Sequence, residues 1–184
     1  LGSTQIPALT SAQVVALTTA QMAGLSTADL TALSTAQFNV LSSSQIAALT
    51  STQIGAMETA DLASLTTSSL RSITPASLAG LTSAQVQALT TTQFAALTTA
   101  QIGGLTSTQA PILETADLAA LGSAQIAALG VSAVGALTSA QIQSMSTGQF
   151  AALTSRKSGA LGTAEMVAGG STNDPSYRPQ VGRW

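Results

Sequence analysis

The sequence predicts an all-α repeat solenoid in which each eight-residue repeat forms one very short, capped helix. A large aliphatic residue recurs every eight positions from Leu1 to Leu161 without insertion or deletion, and a fixed period of this kind is typical of repeat architectures. Most octads also place Gln three residues after a Ser or Thr, which is the signature of a helix start. A longer period of seven octads is superimposed on the first.

The octad consensus, Leu-Thr/Ser-Thr/Ser-Ala-Gln-Ile-Ala/Gly-Ala from position 1 to position 8, excludes long regular elements. A continuous helix would rotate the leucine row off any face, because eight residues at 100° each overshoot two turns by about 80°. A continuous strand would send the apolar positions 1 and 6 to opposite faces. One helical turn followed by a bend remains, and we expect positions 1 and 6 to line a continuous core.

Helix starts are predicted from the residues at positions 2 and 5. In Thr18-Thr-Ala-Gln21, the Thr18 hydroxyl and the Gln21 side chain complete a capping box, which satisfies two backbone amides that a helix start leaves unpaired. Leu17 and Met22 flank this box at the spacing of a hydrophobic staple. A helix this short is unstable alone, so its stability must come from stacking against neighbouring repeats.

Proline positions refine the helix boundaries. Pro75 follows Thr74 directly and so occupies the first helical position, where proline is favoured. Pro7 and Pro111 stand at position 7, where the missing N–H removes an interior hydrogen bond. We expect the helical stretch in those two octads to end near position 5.

The 56-residue period divides the array into larger units. Phe38, Phe94 and Phe150 recur at intervals of seven octads, and the tract 58–63 returns as 114–119. Either an ancestral unit was triplicated, or seven octads complete one turn of the solenoid. In the second case the three phenylalanines should stack along one line of the core.

The predicted domain organisation is an octapeptide-repeat solenoid followed by an irregular tail. The solenoid spans residues 1–169, in modules 2–57, 58–113 and 114–169, and the tail spans residues 170–184. Because the array begins in register at Leu1 without a distinct polar cap, we expect its end to be apolar and open to association.

The tail contains the only Tyr and the only Trp of the chain. It is either a disordered or capping segment, or a connector that lies across the next subunit. Aromatic residues and Arg are enriched at interface hot spots. The candidate inter-subunit contacts are therefore Tyr177, Arg178, Arg183 and Trp184.

Composition excludes most chemistry. The chain has no His and no Cys, which removes Cys/His zinc sites, thiol nucleophiles and Ser-His-Asp triads. The net charge of -2 provides no basic patch for a phosphate backbone, so nucleic acid is not an expected partner. No apolar run reaches the ~18 residues of a membrane span. We expect no enzymatic activity and no catalytic, cofactor or metal site.

The acidic residues of the octad array occupy capping positions rather than a calcium-binding loop. These six of the seven acidic residues are Asp29, Glu58, Asp61, Glu114, Asp117 and Glu165. At position 2 or 5 of an octad, a carboxylate is expected to accept backbone N–H groups at the positive helix start. These residues lack the alternating ligands of a calcium loop. In the octad that contains Arg156 and Lys157, Ser158 replaces the core aliphatic residue, so we expect a local loop or contact point there.

Hydroxyl groups at positions 2 and 3 predict parallel rows on the surface of the solenoid. O-glycans on these residues would give solubility to a chain with few charges, and no Asn-x-Ser/Thr sequon is present. The candidate O-glycan acceptors are Thr19, Thr27, Thr35, Thr91 and Thr99. Ice binding by the Thr rows is a weaker alternative, because capping uses position 2 and because Ser and Thr are mixed.

The tract Leu97-Thr-Thr-Ala-Gln-Ile-Gly-Gly-Leu105 resembles the LTxxQIxA octapeptide arrays of large secreted or surface proteins of Gram-negative bacteria. The resemblance covers residues 1–169 and implies secretion, a fibrous or adhesive role and no catalysis. We therefore expect a subunit or segment of an extracellular filament or cell-surface stalk, with copies of itself as partners, head to tail. The alternative is an adhesin-type module that presents Ser, Thr and Gln ladders to a carbohydrate or a surface.

Overall fold

A computed structural model describes residues 2–157 of the chain, with side chains placed up to residue 153. The described part is a succession of seventeen short α-helices and two 3-10 turns. The helices are α1 (Ser11–Val15), α2 (Thr19–Ala23), α3 (Thr27–Thr31), α4 (Thr35–Asn39), α5 (Ser43–Ala47), α6 (Ser51–Ala56), α7 (Thr59–Ser64), α8 (Thr67–Ser72), α9 (Pro75–Ala79), α10 (Ser83–Ala88), α11 (Thr91–Ala96), α12 (Thr99–Gly103), α13 (Thr115–Ala120), α14 (Ser123–Ala128), α15 (Val131–Gly135), α16 (Ser139–Gln143) and α17 (Thr147–Lys157). One helix per octad is the architecture that the sequence predicts.

Capping boxes start most of these helices, as predicted. The Thr18 backbone N–H donates to Gln21 Oε1 at 2.8 Å, and the Gln21 N–H donates to Thr18 Oγ1 at 3.2 Å. At the other end of α2 the Leu25 N–H donates to the carbonyl of Met22 at 3.2 Å. Thr18 itself has the extended conformation of an N-cap, with φ -72° and ψ 159°. Each octad is therefore one closed helical turn followed by an extended bend.

The two octads with proline at position 7 depart from the prediction. The helical segments there are 3-10 turns at Ile6–Ala8 and Ala110–Ile112, so the expectation that they end near position 5 is wrong. A proline without an N–H cannot continue an α-helix, but its fixed φ suits the start of a helical turn. The i→i+3 bonds of Leu9 to Ile6 and of Leu113 to Ala110 remain. Pro75 begins α9, as predicted.

The last described helix also departs from the octad rule. Helix α17 runs from Thr147 to Lys157 and crosses an octad boundary, so the local loop expected at Arg156 and Lys157 is not formed. Lys157 stands at position 5, where its ammonium cannot accept the amide of a helix start. Arg and Lys are also strong helix formers, and the backbone therefore continues as helix.

Positions 1 and 6 fill the interior, as predicted, and form one apolar cluster from Ile6 to Leu153. Phe38 and Phe94 are 0% and 1% exposed, whereas Phe150 is only partly buried at the edge of the cluster. The structure describes no break in this cluster at residues 57 or 113. The three modules are thus units of sequence that share one continuous core.

The turn of the solenoid contains about three and a half octads, because side-chain hydrogen bonds between turns join residues 26 to 31 positions apart. We call one such turn a layer. Seven octads therefore make two layers, and the interpretation of one turn per seven octads is wrong. A ring of seven helices would leave a hole that Leu and Ile at two positions per octad could not fill. Phe38, Phe94 and Phe150 consequently share a direction but lie two layers apart, without a direct stack.

Candidate functional site

The dominant polar feature of the structure is a row of buried glutamine amides between layers. Gln101 is 1% exposed, and its Oε1 accepts the Thr98 N–H at 2.9 Å within its own capping box. Its Nε2 donates to the carbonyls of Leu70 at 2.9 Å and Ile73 at 2.8 Å in the preceding layer. One side chain thus starts a helix and binds that helix to the layer before it.

The same arrangement recurs along the described chain, with carbonyl acceptors 28 to 31 residues earlier. The glutamines that bridge layers are Gln37, Gln45, Gln53, Gln85, Gln93, Gln101, Gln109, Gln125, Gln141 and Gln149. Their bonds satisfy polar groups that would be costly to bury unpaired. No buried side-chain nitrogen or oxygen of the described residues lacks a partner.

Sequence reasoning missed this second role of position 5. The capping box accepts Glu as well as Gln, because the box needs only a side-chain oxygen. Only Gln adds an N–H donor for the carbonyls of the next layer. Position 5 is strongly biased toward Gln, and Glu occurs there only at Glu165. This bias is the sequence signal for a hydrogen-bond acceptor in the neighbouring layer.

Two buried aspartates occupy the glutamine position and form a different bond. Asp61 Oδ1 accepts the Thr35 hydroxyl at 2.8 Å, and Asp117 Oδ1 accepts the Thr91 hydroxyl at the same distance. The two pairs lie seven octads apart, so the same contact is repeated two layers later. Burial raises the pKa of Asp61, and the Thr35 hydrogen bond opposes part of this rise.

The pKa of Asp29 is shifted in the opposite direction. Its Oδ2 accepts both the hydroxyl of Ser26 at 2.7 Å and the Ser26 backbone N–H at 3.1 Å. These two bonds, with the hydroxyl bond the larger cause, hold the pKa of Asp29 below its ordinary value. Asp29 is therefore an acidic cap of the kind that the sequence predicts.

The acidic residues at position 2 do not cap their helices through the side chain. Glu58 and Glu114 are the N-cap residues of α7 and α13, and neither side chain accepts a capping hydrogen bond. A glutamate carboxylate is one methylene longer than that of aspartate, and Glu is not among the preferred N-cap residues. The expectation of a carboxylate cap is thus wrong at these two positions. Glu165 lies outside the described residues.

The candidate O-glycan acceptors at position 3 all lie on the outer surface, but they differ in their partners. The hydroxyls of Thr35 and Thr91 donate to the buried aspartates. Those of Thr19, Thr27 and Thr99 have no hydrogen-bond partner among the described residues and are the accessible members of the set.

The predicted sites in the tail lie outside the described residues. Tyr177, Arg178, Arg183 and Trp184, the candidate inter-subunit contacts, are outside the described residues. Within the described residues, no group of three His, Cys, Asp or Glu side chains converges as a metal-ligand set. No helix of this part is long and apolar enough to cross a membrane.

The repeated helix, the continuous core and the interlayer amides define a solenoid repeat protein built from octads. The chain belongs to the ALTTAQ repeat family, whose pattern matches residues 1–27, 22–59, 54–91 and 112–147. No curated protein and no solved structure shows a significant match to it.

Proposed function

We propose that the chain is a structural protein, a subunit or segment of an extracellular filament or cell-surface stalk of a bacterium. The observation that supports this function is the row of buried glutamine amides, which binds most layers to the layer before through backbone carbonyls. Stability in such a solenoid is a sum of nearest-neighbour terms. A rod of this kind gains length with each octad and holds its ends at a defined separation. The proposal assigns the chain no catalytic role.

The direction of the interlayer bonds favours copies of the chain, head to tail, as partners. Where glutamines bridge two layers, the later layer contributes the amide donors and the earlier layer contributes the carbonyl acceptors. A layer therefore has a donor face and an acceptor face, which are complementary to each other. Among the described residues, Gln13 and Gln21 are exposed and their side chains bond only within their own octads, so their amide groups can donate to the carbonyls of a further layer.

Electron microscopy of the purified chain tests this assembly. We expect filaments whose length increases with protein concentration. The double variant Gln13→Glu/Gln21→Glu retains both capping acceptors but presents carboxylates to the carbonyls of a neighbouring copy, so its filaments should be shorter or absent. Monodisperse wild-type particles at high concentration would contradict the filament version of the proposal.

The extracellular location is supported by the LTxxQIxA tracts, which resemble arrays of secreted and surface proteins of Gram-negative bacteria. O-linked glycans on exposed Thr side chains would suit this location. Intact-mass measurement of material from the native source is the test, and we expect mass above that of the chain, carried by Thr19, Thr27 or Thr99. A mass equal to that of the unmodified chain would exclude the glycans.

A second function, adhesin-type binding to a carbohydrate or a surface, is favoured by one observation. The hydroxyls of Thr19, Thr27 and Thr99 are exposed and have no partner within the described residues, so they are available to a ligand. Binding by monomers to a glycan array, lost in the triple Thr→Val variant but kept in a Thr35→Val control, would support this function. Equal binding by both variants would contradict it.

A further inference from the structure

Three consecutive octads, which make up most of one turn, lack the glutamine amides that bind other layers of the solenoid. In the three octads from 57 to 80, position 5 is held by Asp61, Ser69 and Ser77. We call these octads the Asp/Ser turn. The following octads from 81 to 104, with Gln85, Gln93 and Gln101 at position 5, form the matched glutamine turn.

The two turns differ in how they bind the layer before them. Each glutamine of the glutamine turn donates two or three N–H···O contacts of 2.8 to 3.3 Å to backbone carbonyls. Among the described residues, the side chains of the Asp/Ser turn make one hydrogen bond to a carbonyl of the preceding layer, from Ser69 Oγ to Leu41 O at 3.5 Å. Asp61 and Ser77 instead meet hydroxyls, those of Thr35 at 2.8 Å and Ser51 at 3.0 Å.

Two backbone carbonyls of the preceding layer, which lie opposite Asp61 and Ser77 in the repeat register, lack the donor that a glutamine would supply. The carbonyls of Leu33 and Leu49 precede Asp61 and Ser77 by 28 residues, the separation at which a glutamine donates elsewhere in the row. Neither carbonyl accepts a hydrogen bond from a described residue. Leu33 and Leu49 are themselves buried, at 4% and 5% exposure, and leaving buried acceptors without donors weakens an interface.

We propose that the interface between octads 33–56 and the Asp/Ser turn is a compliant joint, at which the rod opens before it opens elsewhere. The layers on either side are amide-bonded, since Gln45 and Gln53 bind octads 41–56 to the layer before. Gln93 likewise binds the glutamine turn to the Asp/Ser turn. In a chain of nearest-neighbour interfaces, a weak interface divides the array into separately opening blocks. The joint follows from the hydrogen bonding alone and does not rest on the proposed function.

Hydrogen–deuterium exchange of the full chain, read by mass spectrometry, tests the joint. We expect peptides from octads 33–56 to exchange at least about tenfold faster than peptides from the glutamine turn. The reason is that the interface of the glutamine turn has several more interlayer hydrogen bonds than the joint. Equal exchange in these two regions would overturn the proposal.

Two variants separate the joint from ordinary fraying of an array end. In Asp61→Gln/Ser69→Gln/Ser77→Gln the missing amides are restored, so the rates of the two regions should agree within about threefold. A difference that persists in a folded triple-Gln variant would overturn the proposal, and Ser77→Gln alone, with a smaller effect in the same direction, serves if the triple variant does not fold. The matched variant Gln85→Ser/Gln93→Ser/Gln101→Ser should create a second fast interface in the glutamine turn.

Discussion

At the scale of the residue, position 5 carries two functions in one side chain. The sequence predicted the first, because the spacing of Thr98 and Gln101 is that of a capping box. The second, donation to Leu70 and Ile73 in the preceding layer, depends on the number of octads per turn. That number is a property of packing in three dimensions, and the octad spacing alone does not contain it.

The two functions can be separated by exchanging the amide for a carboxylate. Gln101→Glu keeps the capping acceptor but places a buried carboxylate against two carbonyls, so we expect a loss of about 3 kcal/mol in the free energy of unfolding at pH 7. The control Gln21→Glu changes an exposed side chain that bonds within its own octad and should lose less than about 0.5 kcal/mol. Urea unfolding followed by circular dichroism measures both. Equal losses would contradict the interlayer role.

The pH dependence of stability should differ in sign between two aspartates. The pKa of Asp61 is raised above 3.8 by burial, so its ionisation costs stability as the pH rises through the folded-state value. The pKa of Asp29 is lowered below 3.8 by Ser26, so its contribution is present above 3.8 and is lost as the pH falls through the folded-state value.

At neutral pH we therefore expect Asp61→Asn to raise the unfolding midpoint and Asp29→Asn to lower it. Both differences from wild type should shrink as the solution is acidified, because Asp and Asn then carry the same charge. Thermal unfolding curves between about pH 3 and pH 7 measure the two profiles. Parallel profiles for the two variants would contradict the assigned environments.

At the scale of the element, the octad chemistry predicted nearly every helix start. Thr or Ser at position 2 starts the helix and Gln at position 5 closes the box, so α2 begins at Thr19 as expected. The predicted end of the helical segment was wrong where a residue is compatible with another backbone geometry. Pro7 is compatible with a 3-10 turn, and Lys157 stands where a glutamine would supply the second acceptor of the capping box. Local sequence does not decide between such geometries, because their energies are close.

Each cap residue should contribute separately to the free energy of unfolding. Thr98→Ala removes the hydroxyl that accepts the Gln101 N–H and should cost about 1 kcal/mol in the free energy of unfolding. Glu58→Thr supplies a hydroxyl cap where the native glutamate makes none and should gain about 0.5 kcal/mol. Urea unfolding of the two variants checks both signs. A loss on Glu58→Thr would indicate that this side chain has a role other than capping.

At the scale of the whole molecule, the two periods of the sequence are explained by one geometry. With about three and a half octads in each layer, seven octads are the smallest whole number that returns a residue to the same direction. The Thr35–Asp61 contact therefore reappears as Thr91–Asp117. The sequence predicted the solenoid and its period but not the two layers per period, because spacing alone does not report how many helices close a ring.

This geometry predicts that one module can be removed without disturbing the others. Deletion of residues 58–113 joins two equivalent positions and places Asp117 opposite Thr35, where Asp61 was before. We expect the shortened chain to keep its helicity per residue, and the rod to lose two layers, about 18 Å in length by the usual spacing of packed helices. Circular dichroism and small-angle X-ray scattering measure these quantities.

The control deletion, residues 58–109, removes six and a half octads and breaks the octad phase. It should lose helicity around the junction, since an apolar position would then meet a polar one. Equal behaviour of the two deletions would contradict the register described for the layers.

Solution NMR of the side-chain amides tests most directly whether glutamine amides bind a layer to the carbonyls of the layer before it, as Gln101 does. We expect nuclear Overhauser contacts between the Gln101 amide protons and residues 70–73, together with slow exchange of those protons. The Gln21 amide protons should exchange rapidly and show contacts only within their own octad. Contacts of Gln101 confined to its own octad, or reaching the octad seven repeats earlier, would contradict binding between adjacent layers.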